Sequence, residues 1–275
     1  MKVEIRKSVP LPFLGNKSKK IDCFIDYIKN CPDDLIYVDL FGGSCYLSYV
    51  IHQLKPNAEV ICNDFDDYRN RLNNVDKTNE ILKKMKELIG DKAFRSKFTD
   101  DEKDKIKNLL SAEKYDSMDV ITLSACLMFS SLYCVNLEQL FHRNLWYNKI
   151  PLNDYDASWY LKALEGIKFV KKDWQELYNE YKDNDKVCFI ADPPYAETDQ
   201  TGYKGKWSFN DSLRTIKILN HKYFVYYTSE KSKIYPLIET INREFQPLKF
   251  DAFIIQRPGA NKRCKVWNDI MLYNQ

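Results

Sequence analysis

Val187-Cys188-Phe189-Ile190-Ala191-Asp192-Pro193-Pro194-Tyr195 is the stretch on which the reading of this chain turns. Its first five residues are all apolar, with β-branched Val187 and Ile190 among them. That run is short for a helix and reads as a strand buried on both faces. Such strands belong to parallel sheets, whose crossover helices cover both sides. The strand runs straight into an aspartate and two prolines, and in an open parallel sheet that end is where ligands bind. Consecutive prolines fix the backbone and remove two N–H donors, leaving carbonyls free to accept hydrogen bonds. An aspartate beside such carbonyls makes a site of acceptors only, matched by an NH₂ group that donates. Tyr195 adds a flat face on which a planar ring can stack. Alone, the string also fits a proline turn after a strand.

Working outward, Leu35–Leu40 is another short apolar run, ending at Gly42-Gly43, and reads as a second buried strand. Residues Ser44–Leu54 look helical, and Ala58–Cys62 reads as a strand ending at Asn63-Asp64. Downstream, the pattern predicts a strand at Ile167–Val170, a helix over 174–182 and strands at Tyr223–Thr228, Lys249–Gln256 and Val266–Tyr273. The last two suit an antiparallel hairpin at the sheet edge. The expected class is therefore α/β, a Rossmann-like and mostly parallel sheet with an antiparallel C-terminal edge hairpin.

Between residues 70 and 138 the texture changes. Ile81, Leu82, Met85, Leu88 and Ile89 share one helical face. Thr99-Asp100-Asp101-Glu102 has the capping-box form ahead of a helix carrying Ile106, Leu109 and Leu110. The apolar segment 118–135 is expected to pack as a buried helix, and 139–155 reads as a loop or hairpin. The expected organisation is a catalytic domain from 1–69 and 150–275, interrupted by a lysine-rich helical insertion at 70–149.

The chain has 275 residues, 44% of them apolar, which suffices for a large domain with its own core. The net charge of +3 says little, but its distribution says more. Lys2, Arg6, Lys7, Lys17, Lys19 and Lys20 stand against Glu4 in the first twenty residues, and Arg257, Lys262, Arg263 and Lys265 cluster near the other end. Local basic clusters on a near-neutral chain suit phosphate contacts, or are two solvated faces. The eight cysteines form no CxxC pair and the three histidines are scattered, so no metal is expected. No apolar run approaches the length of a membrane span, and the thiols are expected to be reduced, as in a cytoplasm.

A second constellation lies at Asp39-Leu40-Phe41-Gly42-Gly43-Ser44, a strand-to-helix turn with two glycines. Glycine lets backbone approach a ligand, and an acid at a strand end can bind its polar groups. Asp64 ends the next strand, where an acid bonding ribose hydroxyls would sit. The GxGxxG string of nicotinamide-cofactor enzymes is absent.

Taken in order, these features resemble the Dam-like, D12-class adenine-N6 DNA methyltransferases of the alpha arrangement. Pro12-Phe13-Leu14-Gly15-Asn16-Lys17 looks like that family's opening Phe-x-x-Gly-Gly-Lys motif. Asp39–Ser44 matches its glycine motif, Asn63-Asp64 the end of its second strand, 192–195 its catalytic DPPY, and Gly259-Ala260-Asn261 a loop before its terminal hairpin. The resemblance spans nearly the whole chain outside 70–138. It departs at Cys45, where a further glycine is usual, and at Asn16, where glycine is favoured.

The resemblance implies S-adenosylmethionine as methyl donor, duplex DNA as substrate and a monomer. Phe13, Leu14, Gly15 and Lys17 would line the cofactor; Asp39, Phe41 and Gly43 would hold its methionine part, and Asp64 its ribose. Asp173 resembles the acid that meets the cofactor adenine, and equally suits a helix N-cap. Asp192, Pro193, Pro194 and Tyr195 would be catalytic, acting on a flipped-out adenine. Tyr203 and Phe209 belong to a basic, aromatic segment that could close over DNA. Arg257, Asn261, Lys262 and Arg263 would meet phosphates, and Arg143 and Asn144 lie where the family has a DNA-contacting hairpin. Cytosine-N4 methylation and a DNA-binding module without catalysis are the competing readings.

Overall fold

The computed structural model describes residues 4–15, 17–18, 21–113, 118–129, 133–197, 207–244, 250–255 and 268–274. Helix α1 (Asp22–Asn30) precedes strand β1 (Ile36–Asp39), and α2 (Tyr46–Leu54) crosses to β2 (Val60–Asn63). A run of helices follows: α3 (Tyr68–Asn73), α4 (Val75–Ile89), α5 (Asp100–Ala112), α6 (Val120–Leu127), α7 (Leu137–Phe141) and α8 (Ser158–Ala163). Alternation resumes with β3 (Lys168–Val170), α9 (Trp174–Tyr181), β4 (Val187–Ala191), α10 (Phe209–Thr215), a 3₁₀ turn at Ile216–Asn220 and β5 (Tyr223–Ser229). Helix α11 (Ile234–Glu244) leads to the closing pair β6 (Asp251–Ile255) and β7 (Asp269–Asn274).

The strands form one sheet in the order β3-β2-β1-β4-β5-β7-β6. The first five run parallel, while β7 lies antiparallel between β5 and β6. This is the Rossmann-like architecture with an antiparallel edge that the apolar runs predict. Chain order reverses between β1 and β4, which makes their C-terminal ends the topological switch point. Asp39 pairs in register with Ile190, so Asp39 and Asp192 leave adjacent strands side by side.

Apolar layers cover both faces of the sheet. Phe24, Ile28, Val50 and Ile51 pack on one face, against Tyr37, Cys188 and Ile190. Trp174, Leu177, Ile218 and Ile238 pack on the other, against Val38, Phe189 and Phe224. A third core runs from Ile81 to Ile150 within the helical segment. Thr99 caps α5 in a complete capping box with Glu102, and Ile106 and Leu110 are fully buried, as their spacing predicts. Leu88, expected on the same α4 face, is 42% exposed, while Ile89 beside it packs partly against the core.

One expectation needs correction. The helix expected over 118–135 stops at Leu127, because Met128 is extended at φ −118°. Its free carbonyls are taken by the segment that follows in space. Tyr147 and Lys149 donate backbone N–H groups to Leu127 and Cys126, and Lys149 Nζ reaches the Met128 carbonyl at 3.1 Å. Of the loop or hairpin expected over 139–155, the loop is found after α7 ends at Phe141, with Tyr147 bridging antiparallel to Lys97. The seven cysteines among the described residues are free thiols.

Candidate active site at the switch point

Four chain segments converge where β1 and β4 end. The Asp39 carboxylate is buried, accepting from Ser48 Oγ at 2.7 Å and from the Phe41 amide at 3.3 Å. Burial pushes its pKa up to about 7, opposed by these hydrogen bonds and reinforced by nearby Asp192.

The following turn is narrow for steric reasons. A Cβ at Gly42 would lie 2.5 Å from Cys62 Sγ and 2.9 Å from the Asn63 carbonyl, which accepts from the Gly42 amide. Gly43 has φ +53°, and a Cβ there would lie 2.9 Å from the Phe13 ring. Cys45, where the family usually has glycine, adopts the left-handed conformation at φ 59°. Asn63 ties the three strand ends together, donating to Leu40 and Lys172 carbonyls and accepting from the Lys172 amide, each at 3.0 Å.

Asp192 meets Lys17 across the whole sequence, with Nζ 2.5 Å from Oδ2. The two side chains are 18% and 12% exposed. Lys17 Nζ also donates to the Gly15 carbonyl at 3.1 Å and lies over the rings of Tyr227 and Tyr195, at 5.3 and 5.9 Å. Burial raises the pKa of Asp192, Lys17 opposes the rise, and Asp269 at the start of β7 adds to it. Tyr195 donates from its hydroxyl to the Thr228 carbonyl at 3.3 Å, which docks the Asp192–Tyr195 turn on the end of β5.

The structure thus brings together Phe13, Gly15, Lys17, Asp39, Phe41, Gly43, Asp192 and Tyr195, all named from the sequence. Leu14, Pro193 and Pro194 lie in the same turns. Asp64 ends β2 as expected, and its carboxylate takes the amides of Tyr68 and Arg69 at 2.6 and 2.9 Å, anchoring α3. Asp173 caps α9, accepting from the Gln175 amide at 2.8 Å. Phe209 is the first residue of α10, behind a Ser208 capping box. Arg143 and Asn144 follow α7, and the Asn144 carbonyl accepts from Lys103 Nζ at 3.2 Å. Tyr203, Arg257, Asn261, Lys262 and Arg263 lie outside the described residues, as does Asn16.

Trp207 and Trp174 join the site without a sequence motif of their own. Trp207 packs edge-on against Phe41 at 5.5 Å, and Trp174 lies 5.7 Å from Phe41, so both wall the glycine turn. Trp207 sits in a segment already singled out as aromatic; Trp174 gave no signal beyond an apolar helix position.

A glycine turn at β1, a buried acid at its head, and an acceptor-rich turn at β4 define a Rossmann-like methyltransferase. Residues 13–246 match the D12 class of N6 adenine-specific DNA methyltransferases, and the chain belongs to that family. It is also 33% identical over 279 residues to a Haemophilus influenzae protein provisionally named a methyltransferase, an alignment covering 97% of this chain and 92% of the relative. The protein is therefore an enzyme that methylates DNA, and its family implies S-adenosylmethionine as donor. The residues present fit that group: the buried Asp39 carboxylate at the end of β1 suits a cationic ligand, beside glycines whose Cβ atoms would clash. Among the described residues no helix is long and apolar enough to cross a membrane, and no cluster of three or more His, Cys, Asp or Glu could hold a metal.

Proposed function

We propose that this enzyme methylates N6 of an adenine that has left the stack of duplex DNA, and that Asp192, Pro193, Pro194 and Tyr195 receive the base. The observation that carries the reading is the aim of Asp192. Its largely buried carboxylate already accepts from an N–H donor, the Lys17 ammonium, at the mouth of a turn whose two prolines offer no N–H.

Adenine N6 is a poor nucleophile because its lone pair is delocalised into the ring. With Asp192 and the Pro193 carbonyl accepting its two hydrogens, the lone pair is turned out of that plane. Tyr195 stacks on the ring and fixes its height. S-adenosylmethionine supplies a methyl group on a positively charged sulfur, which leaves readily. The chain's own part is positioning and electrostatics. The amino group lies inside the duplex, so extruding the base costs roughly a few kcal/mol, offset by contacts in the pocket.

Phe13, Leu14, Gly15, Lys17, Asp39, Phe41, Gly43, Asp64 and Asp173 line the cofactor in this reading, with Trp174 and Trp207 added. Residues 70–149 form the target-recognition insertion, supported by the separate core between Ile81 and Ile150. Arg143, Asn144, Tyr203, Phe209, Arg257, Asn261, Lys262 and Arg263 contact the DNA.

The test is methyl transfer from labelled S-adenosylmethionine to unmethylated genomic DNA, followed by nucleoside analysis, with Asp192→Ala beside the wild type. Label is expected in N6-methyladenine and absent in the variant. Label in N4-methylcytosine would overturn the choice of base, and full transfer by Asp192→Ala would overturn the site.

A further inference from the structure

Arg71 is a buried cation that joins three parts of the molecule. It projects from α3 and is 8% exposed. Its Nε donates to Asp119 Oδ1 at 2.9 Å and its Nη2 to Thr122 Oγ1 at 3.1 Å, both at the head of α6 in the insertion. The same Nη2 donates to the Pro12 carbonyl at 2.8 Å, one residue before Phe13. Asp119 is itself the N-cap of α6, accepting from the Thr122 amide and hydroxyl. The head of that helix and the opening loop therefore share one guanidinium.

A second contact runs parallel to the first. The Arg71 guanidinium lies over the Tyr68 ring at 5.1 Å. The Tyr68 hydroxyl donates to the Leu11 carbonyl at 3.0 Å and accepts from the Leu11 amide at 3.2 Å. The Tyr68 ring meets Phe13 edge-on at 5.7 Å, and Phe13 in turn closes over Gly43. A continuous path thus runs from Asp119 through Arg71, Pro12 and Phe13 to the glycine turn. None of the family features quoted from the sequence requires it.

We propose that Arg71 is a positioning residue that couples the two ligands: duplex DNA held by the insertion and cofactor at the strand ends bind cooperatively through it. The inference rests on the functional reading above. A shift of α6 changes where the guanidinium sits, and with it the loop that carries Phe13. By linkage, whatever factor DNA exerts on cofactor affinity, cofactor exerts on DNA affinity. An arginine suits the task because its rigid fork serves several acceptors at once, whereas a lysine is a single point charge.

The experiment measures the dissociation constant of S-adenosylhomocysteine alone and with a saturating duplex that the wild type methylates. The reverse pair, DNA affinity with and without S-adenosylhomocysteine, is measured too. Wild type, Arg71→Lys and Thr122→Val are compared, with thermal melts recorded for each. Arg71→Lys keeps a cation beside Asp119, and Thr122→Val removes only the α6 hydroxyl, so the second variant decides should the first not fold. The wild type is expected to show a coupling of about fivefold or more, equal in both directions. In the variants the factor should fall towards one, while cofactor affinity without DNA changes by less. Unchanged coupling in a folded variant, or no coupling in a wild type that transfers methyl, overturns the inference alone. A wild type that neither binds S-adenosylhomocysteine nor transfers methyl overturns the functional reading beneath it.

Discussion

At the scale of single residues, the site is governed by what burial does to carboxylates. In the proposed role Asp192 accepts the amino group best when ionised, and Lys17 is the group that opposes the effect of burial on it. Removing that cation in Lys17→Met leaves Asp192 with Tyr195, Asp269 and Asp39 as charged or titratable neighbours. Its pKa then rises further, so the acid limb of the pH–rate profile should move to higher pH. An unmoved limb would mean that Asp192 does not set it. Asp39 gives a second pH dependence. With its pKa at about 7, it carries a proton below neutrality, whereas the ammonium of a bound methionine moiety favours the ionised form. Affinity for S-adenosylhomocysteine should therefore weaken by up to about tenfold per pH unit below 7, measured by calorimetry, and Asp39→Asn should abolish the slope. A flat wild-type profile would place the ammonium elsewhere. Cys45 makes a conformational prediction. Its left-handed backbone costs about 1–2 kcal/mol, and Cys45→Gly relieves it while giving up about 1 kcal/mol of side-chain burial. The net change in urea unfolding should stay within about 1 kcal/mol, whereas β-branched Cys45→Val, for which positive φ is a true outlier, should destabilise clearly.

Elements were legible wherever a local rule decides them. Strands β1, β2, β4 and β5 show as short apolar runs because both of their faces are covered, and α5 shows through the Thr99–Glu102 box. Helix α6 was overestimated because its end is set by the 147–149 segment, which no local pattern announces. Helices α1, α10 and α11 were not read, although Ile21, Phe24 and Ile28 mark a buried face at and just before α1. The site followed the same division. Asp39 and Asp192 are visible as acids at strand ends, while the Lys17 contact, the Asp64 anchor of α3 and the Trp207 wall depend on tertiary approach. Trp207 gives the prediction at this scale. It stands two residues ahead of α10, donates its ring N–H to Ser212 at 2.9 Å and closes on Phe41. Trp207→Ala should raise KM for S-adenosylmethionine several-fold with a smaller change in kcat; the reverse pattern would remove it from the cofactor wall.

For the molecule as a whole, separate cores mean that stability is shared unevenly. Met85 is fully buried in the Ile81–Ile150 core, so Met85→Ala should cost about 2–5 kcal/mol. Hydrogen exchange should then quicken in α4 to α6 before it does in the sheet; simultaneous loss in both would mean one cooperative unit. Strand order itself was beyond local reading, because each pairing joins segments far apart in the chain. That same order bears on how the protein is made. Strand β4, at the centre of the sheet, leaves the ribosome about 150 residues after β1. At roughly 5–20 residues per second, β1 waits some 8–30 s without its central neighbour. Throughout that interval the nascent chain carries Lys17 and the glycine turn but not the Asp192–Tyr195 turn proposed to receive the base. Newly translated enzyme is thus silent until its last third emerges, and chaperones have that long to shield the apolar face of β1.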